Sequence, residues 1–447
     1  MRIDLPEPEL FYRMLLRKTG KQLETMPTGI TLDSREAQPG DLFVAIRGDR
    51  VDGHKYLNSA REKGCAAAFV EEINSDCPLP QIQMDNPAIT IAGLAQEWRS
   101  NFSVPALGIT GSNGKTSTKD LLMHTLSASH VVHGTRGNYN THLGLPLTLL
   151  ELVSHYTLSI LEMGANQRGD IGYLCNLSSP RYGLITNIAP AHLSGFGSIE
   201  NISKTKGELF DALPSDGIAF VNFEDERIRD LTTGAQTVTY GYSAECDFTC
   251  DIHRDEDGVL SMIINGHEIF LNSYNQTFAH NVIAACAVSI TFDVSWEDFA
   301  QSVISFEPTK GRCIIKEFDG VTVIDDTYNA NLTSTLAALD LLLAHPSRGK
   351  RIVVFADMLE LGDDSEEYHR RVGKACVENG IEQLFCLGEE SRITVTLAQA
   401  VIDARHFDDK RGLTDCIKEE ISEGDIILFK GSRGMELETV IEEVFKD

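Results

Sequence analysis

Residues 105–127 limit what this chain can fold into more than any other stretch. An apolar run, Pro105-Ala106-Leu107, leads into Gly108-Ile109-Thr110-Gly111-Ser112-Asn113-Gly114-Lys115-Thr116-Ser117, and a helix is predicted over 119–127. Strand, glycine turn and helix in that order form a phosphate cradle. With no side chains at Gly111 and Gly114, backbone N–H groups can approach a triphosphate closely. Lys115 adds a point charge for the outer phosphates, and the Thr116 hydroxyl suits the accompanying Mg²⁺. Ile109 stands where the first glycine of the full G-x-x-x-x-G-K-[ST] pattern belongs, so the loop is the shorter TG-x-x-GK-[TS] form. A chain with 36 glycines can produce such a string by chance; the buried run before it and the helix after it favour a nucleotide loop.

The segments that follow repeat a strand-then-polar-cluster pattern. A strand over 157–161 ends at Glu162-Met163-Gly164-Ala165-Asn166, and a buried strand over 182–188 ends at Ala189-Pro190-Ala191-His192. Strands alternating with helices predict a mostly parallel, doubly wound sheet, whose ligands bind at the carboxyl ends of the strands. Glu162 and His192 sit at equivalent ends of successive strands, where each is either structural or a metal ligand. A cation is required near Glu162 if a nucleotide binds. A carboxylate about 4 Å from a phosphate oxygen is repelled by roughly 4 kcal/mol at an effective dielectric of 20. In the amphipathic helix expected after Ser198, its N-cap, Lys204 and Lys206 are two apart, so only one can face the site.

Further on, strands over 218–221, 237–240, 248–252 and 260–264 read as an antiparallel edge, with Asn265-Gly266 as a hairpin turn. His280-Asn281 opens an alanine-rich helix over 282–291, as its cap or as a base-recognition pair. Upstream, residues 1–84 form a small α/β unit. There Asp33-Ser34-Arg35 is either a turn with a salt bridge or a contact for a phosphorylated ligand. Residues 309–447 form a third α/β unit whose strands end in polar clusters: Asp325-Asp326-Thr327-Tyr328-Asn329-Ala330-Asn331, Asp357-Met358-Leu359-Glu360-Leu361-Gly362 and Gly431-Ser432-Arg433.

Charge and composition exclude other classes. The formal net charge of −27 opposes broad nucleic-acid binding. No run of 18 apolar residues suggests a membrane-inserted helix. The acids and proline of Met1–Glu7 do not make a signal peptide, so a cytoplasmic protein is expected. The 10 cysteines include no C-x-x-C and are expected to be reduced thiols.

In their order, Thr110-Gly111-Ser112-Asn113-Gly114-Lys115-Thr116, Glu162-Met163-Gly164-Ala165-Asn166, Ala191-His192-Leu193, Lys206-Gly207-Glu208 and His280-Asn281 resemble the Mur ligases. These are ATP-dependent amide-forming enzymes of peptidoglycan precursor synthesis. Asn138-Tyr139-Asn140, Asp326-x-Tyr328-Asn329-Ala330-Asn331, Asp357-Met358-x-Glu360-Leu361-Gly362 and Lys430-Gly431-Ser432-Arg433 are similar to the branch that adds D-alanyl-D-alanine. The diamino-acid-adding branch would carry Tyr-Ala-His-Thr-Pro and Asn-Pro-Arg segments, and neither is present.

The resemblance implies three domains. Residues 1–84 would bind a UDP-linked substrate, and 85–308 would be a central P-loop domain for ATP. Residues 309–447 would be a Rossmann-like domain completing the ATP and amino-substrate sites. It implies that UDP-MurNAc-tripeptide and D-Ala-D-Ala are joined through an acyl phosphate, by a monomer that uses ATP and Mg²⁺. Lys115, Glu162, His192 and Lys206 would be catalytic. Thr110 to Ser117, Asn281, Arg312 and Asp326 would bind ATP. Thr116, Glu162, His192 and Lys206, the last as a carbamate, would hold metal. Ser34 and Arg35 would face the UDP end, and Asn138, Asn140, Thr141 and Asn166 the sugar-peptide part. Tyr328, Asn329 and Asn331 would close the site and admit the dipeptide.

Four positions depart from the family pattern: Ala284 and Thr141 where Asn is common, Leu332 for a usual Pro, and Ala356 for a usual Gly. None is a phosphate or metal position. A folate polyglutamate ligase shares the central loop, but residues 1–84 argue against it. A non-catalytic nucleotide-binding regulator is opposed by the joint presence of Lys115, Glu162, His192 and Lys206.

Overall fold

The computed structural model describes residues 1–48, 51–190 and 193–446. Three sheets follow one another along the chain, with five, nine and six strands. In the first, Arg2–Asp4 runs antiparallel to Gly29–Thr31, and the remaining strands, out to Gln81–Gln83, are parallel. In the third, Ile314–Phe318 is an antiparallel edge on an otherwise parallel sheet.

The nine-stranded sheet is organised around Ala106–Thr110, all five of whose residues are buried. Its parallel neighbours are Leu158–Glu162 on one side and Tyr182–Ile185 on the other. The strand order therefore reverses at Ala106–Thr110, which leaves a crevice beyond its carboxyl end. The two faces of this strand are covered by different helices. Leu107 and Ile109 share one core with Leu121 and Leu122 of the Lys115–Leu126 helix and with the Gln276–Thr291 helix. On the other face a Cβ at Gly108 would meet Leu209 of the Ile199–Asp211 helix at 2.8 Å. Helices on both faces of a mostly parallel sheet make this a doubly wound α/β fold, and the chain as a whole is a three-domain α/β protein.

Two sequence expectations are corrected. Ile218–Asn222 and Gln236–Gly241 are parallel members of the main sheet, and only Phe248–Arg254, Leu260–Ile264 and His267–Phe270 pair antiparallel. Side-chain alternation records which face is buried but not strand direction. The Gln276–Thr291 helix begins earlier than expected, with Asn275 as its N-cap accepting from the Thr277 N–H. His280 and Asn281 thus lie in its second turn and are not its cap. The Asn265-Gly266 turn has φ of 47° and 83°, the positive pair a tight hairpin turn needs. Ser198 caps the Ile199–Asp211 helix by accepting from the Asn201 N–H, and Lys206 is buried there while Lys204 is exposed.

Candidate active site

The glycine loop leaves the carboxyl end of Ala106–Thr110 and enters the Lys115–Leu126 helix directly, so Lys115 and Thr116 form its first turn. The loop conformation demands its glycines. Gly114 has φ +78°, and a Cβ at Gly111 would lie 1.9 Å from Thr186 Oγ1. The loop is braced from the next strand end. Thr186 Oγ1 donates to the Asn113 carbonyl at 2.6 Å, and the Asn113 N–H donates to Asn187 Oδ1 at 3.0 Å. Ser112 Oγ donates to the Ala189 carbonyl at 2.7 Å, and Thr110 Oγ1 donates to the Met163 carbonyl. Thr186 and Asn187 were not singled out in the sequence, where they read as part of a buried strand. A Thr-Asn pair just before Ala189-Pro190 was the available signal.

Lys115 folds back onto the loop, donating from Nζ to the Gly111 carbonyl at 2.7 Å. Burial lowers its pKa, and Arg312 lowers it further, while Glu162 opposes the shift. Lys206, unlike the half-buried Lys115, is buried, and desolvation together with the charge of Lys115 pushes its pKa well below the ordinary lysine range.

Glu162, the last residue of Leu158–Glu162, is 1% exposed. Its Oε1 accepts from Asn140 Nδ2 at 2.6 Å, whereas its buried Oε2 has no hydrogen-bond partner among the described residues. A buried carboxylate oxygen left open in the same crevice as the Thr116 hydroxyl could take a hard cation. The Thr116 hydroxyl and Glu162 fit Mg²⁺ by donor type. His192 lies outside the described residues.

The third sheet reaches into the same space. Arg312 donates to Thr116 Oγ1 at 2.9 Å and stacks on the Tyr328 ring at 4.0 Å, with Arg433 on that ring at 5.9 Å. Its Nε is buried and has no hydrogen-bond partner among the described residues. Asn331 caps the Leu332–Ala344 helix and donates from Nδ2 to Asn113 Oδ1 at 2.6 Å. Asp326 is paired with the buried Lys430 at 2.6 Å, and Lys430 also donates to the Asn329 carbonyl. Lys430 is thus a further polar anchor. Its place in the Lys430-Gly431-Ser432-Arg433 motif does not reveal this contact from sequence alone.

A cavity of about 1480 Å³ joins most of these groups, though Lys206 does not line it. Ser112 to Ser117, Asn138, Asn140, Thr141, Glu162, Asn166 and Asn281 line it from the central sheet and its helices. Arg312, Asp326, Tyr328, Asn329 and Asn331 line it from the third sheet. Asn281 accepts from Thr118 Oγ1 at 3.2 Å and stands against Gly114. Ala284, where an Asn was expected, is buried. Ser34 and Arg35 do not line this cavity. Arg35 is exposed and bound to Asp33, whose carboxyl it holds at about 2.

A phosphate loop and an open carboxylate oxygen in one large crevice between two sheets suit an ATP-dependent ligase, and the chain belongs to the Mur ligase family. It matches the family's catalytic domain over residues 27–96, the Mur ligase middle domain over 109–289 and the glutamate ligase domain over 311–433. Among individual relatives it is 33% identical to the UDP-N-acetylmuramoyl-tripeptide--D-alanyl-D-alanine ligase of Bacillus subtilis (strain 168), over 95% of this chain and 94% of that one. It is also 33% identical to the ligase of that name from Escherichia coli (strain K12), over 92% of each chain. Its fold is similar to the crystal structure of MurF from Acinetobacter baumannii, with TM-score 0.86, 28% identity and 98% of both chains covered. It is likewise similar to MurF from Thermotoga maritima in complex with ADP, with TM-score 0.79, 30% identity, and 93% and 97% covered.

Proposed function

We infer that this protein joins D-alanyl-D-alanine to UDP-N-acetylmuramoyl-tripeptide in peptidoglycan precursor synthesis, using ATP and releasing ADP and phosphate. The observation that carries the reading is the convergence of three groups on one crevice: the phosphate loop, the open Oε2 of Glu162 and the Arg312–Tyr328 stack of the third sheet.

A carboxylate is a poor electrophile. The tripeptide's terminal carboxylate oxygen takes the γ-phosphoryl group of ATP, the γ-phosphorus–oxygen bond to ADP breaks, and an acyl phosphate results. The dipeptide amine then attacks the acyl carbon, loses a proton and expels phosphate. Positioning and charge neutralisation supply most of such catalysis. The loop N–H groups and Lys115 hold the β and γ phosphates. Arg312 and Asp326 contact ATP from the third domain, and Asn281 faces the adenine. Mg²⁺ would be held by Thr116, Glu162, His192 and a Lys206 carbamate, and it supplies neutralisation of phosphate and carboxylate charge. The UDP end belongs to Ser34 and Arg35 in residues 1–84, and the sugar-peptide part to Asn138, Asn140, Thr141 and Asn166. Tyr328, Asn329 and Asn331 admit the dipeptide. The protein acts as a cytoplasmic monomer.

The Lys206 carbamate has a physical basis here. It forms from the neutral amine and CO₂, with loss of a proton. At an ordinary pKa of about 10.4 the neutral form lies roughly 4–5 kcal/mol uphill at pH 7. Burial and the Lys115 charge reduce that cost.

Phosphate release tests the reading. It should require ATP, UDP-N-acetylmuramoyl-tripeptide and D-alanyl-D-alanine together. Turnover with a folate and glutamate instead, or none with any acceptor, would overturn it.

A further inference from the structure

Glu208 stands two residues after Lys206 and takes no part in the chemistry above. Two residues on a helix are about 200° apart, so the two side chains leave the Ile199–Asp211 helix on opposite sides. Glu208 Oε1 accepts the Gly169 N–H at 2.9 Å, and Oε2 accepts the Gly172 N–H at 2.8 Å. These donors are the N-cap and third residue of the Asp170–Ser178 helix, whose N-cap Gly169 has no side chain to cap it. Glu208 supplies from a neighbouring helix what a capping box supplies locally.

The clamped turn directly follows Asn166. Asp170 extends the clamp backwards, its Oδ2 accepting from the Asn166 and Gln167 N–H groups at 2.9 and 3.0 Å. A Cβ at Gly195 would lie 2.2 Å from the Asn166 carbonyl, so this loop has little room to shift. Asn166 lines the cavity, and Lys206 is buried on the Ile199–Asp211 helix, near enough to Lys115 to feel its charge.

We propose that Glu208 is a positioning residue: it ties the Asn166 loop to the helix that carries Lys206, and so fixes where the UDP-linked substrate lies relative to the transferring phosphate. The inference rests on the ligase reading. A near-attack distance of about 3–3.5 Å tolerates little misplacement, which is why a rigid strut between the two subsites matters.

The test is Glu208→Gln in the full chain. Gln keeps the length and one acceptor but turns an NH₂ toward a backbone N–H. The KM for UDP-N-acetylmuramoyl-tripeptide should rise about tenfold, as expected for one or two lost hydrogen bonds, with the ATP KM within about twofold. In an Asn166→Ala background the same change should add little further, because both act through one loop. Equal rises in both KM values, or additive effects in the double variant, would overturn the proposal. Amide exchange of the wild-type protein gives a check that needs no variant. The Gly169 and Gly172 amides should be as protected as the interior of the Asp170–Ser178 helix, and fast exchange there would overturn the clamp. Absence of wild-type turnover would count against the ligase reading itself, so the two failures are distinguishable.

Discussion

Asn331 Nδ2 lies 2.6 Å from Asn113 Oδ1, and this one contact joins the N-cap of a third-sheet helix to the nucleotide loop of the central sheet. The same Asn331 accepts the Ser334 N–H at 2.9 Å within a capping box. Asn331→Ala should therefore lower stability by about 1 kcal/mol through the lost cap and raise the ATP KM. Ser334→Ala removes half of the box without touching Asn113. It should lower the melting temperature while leaving the ATP KM near wild type.

Arg312 combines a hydrogen bond to Thr116 with stacking on Tyr328. Lysine keeps the charge but not the planar fork. Arg312→Lys should weaken ATP or ADP binding by about tenfold, in line with the roughly 1.5–3 kcal/mol of a charge-assisted hydrogen bond. Titration calorimetry with ADP measures this without turnover. Wild-type affinity in the variant would remove Arg312 from the nucleotide site.

Lys206→Ala should reduce kcat by about 10²–10³, the scale lost with one electrostatic group of an active site. If the wild-type side chain is a carbamate, the intact protein carries the extra mass of one carbon dioxide, and bicarbonate or a short carboxylic acid partly restores the alanine variant. An unmodified amine in active, Mg²⁺-loaded enzyme would exclude the carbamate.

His133 predicts a pH dependence of stability away from the site. Buried on Val132–Gly134, it donates from Nε2 to the Thr148 carbonyl and accepts from Ser159 Oγ at Nδ1. Burial pushes its pKa down to about 4. Between its unfolded value of about 6.5 and about 4, the unfolded chain binds a proton that the folded chain does not. Stability thus falls as pH drops through this window, by about 3 kcal/mol at its lower end, and is unaffected by this group above it. Urea melts at pH 7 and 4.5 should show a smaller difference for His133→Gln than for wild type.

How much of this was legible in the sequence depends on whether the cause is local. The loop from Gly108 to Ser117 and the placement of Glu162 followed from apolar runs ending in glycine or polar residues, because a buried strand must end where its polar groups reach a crevice. The Asn265-Gly266 turn was legible because positive φ selects those residues. Strand direction at Ile218–Asn222 was not, since one period of alternation serves both directions. The start of the Gln276–Thr291 helix was missed because Gln276 and Thr277 carry no apolar signal. Contacts such as Arg312 with Thr116 depend on how two sheets are set against each other. No spacing in the chain encodes that, and only the resemblance placed Arg312 with a nucleotide.

The cavity runs without a break from Ser112 and Asn281 past Glu162 to Asn166 and Tyr328. One molecule can therefore occupy it from end to end. An adenosine-phosphate fragment tethered to a peptide-like fragment presents its second half at an effective concentration in the millimolar range once the first is bound. Two weak fragments joined by a linker that follows the wall between Lys115 and Asn166 would gain affinity by orders of magnitude without any new contact. The geometry that brings two substrates together for reaction is also a template for bisubstrate inhibitors.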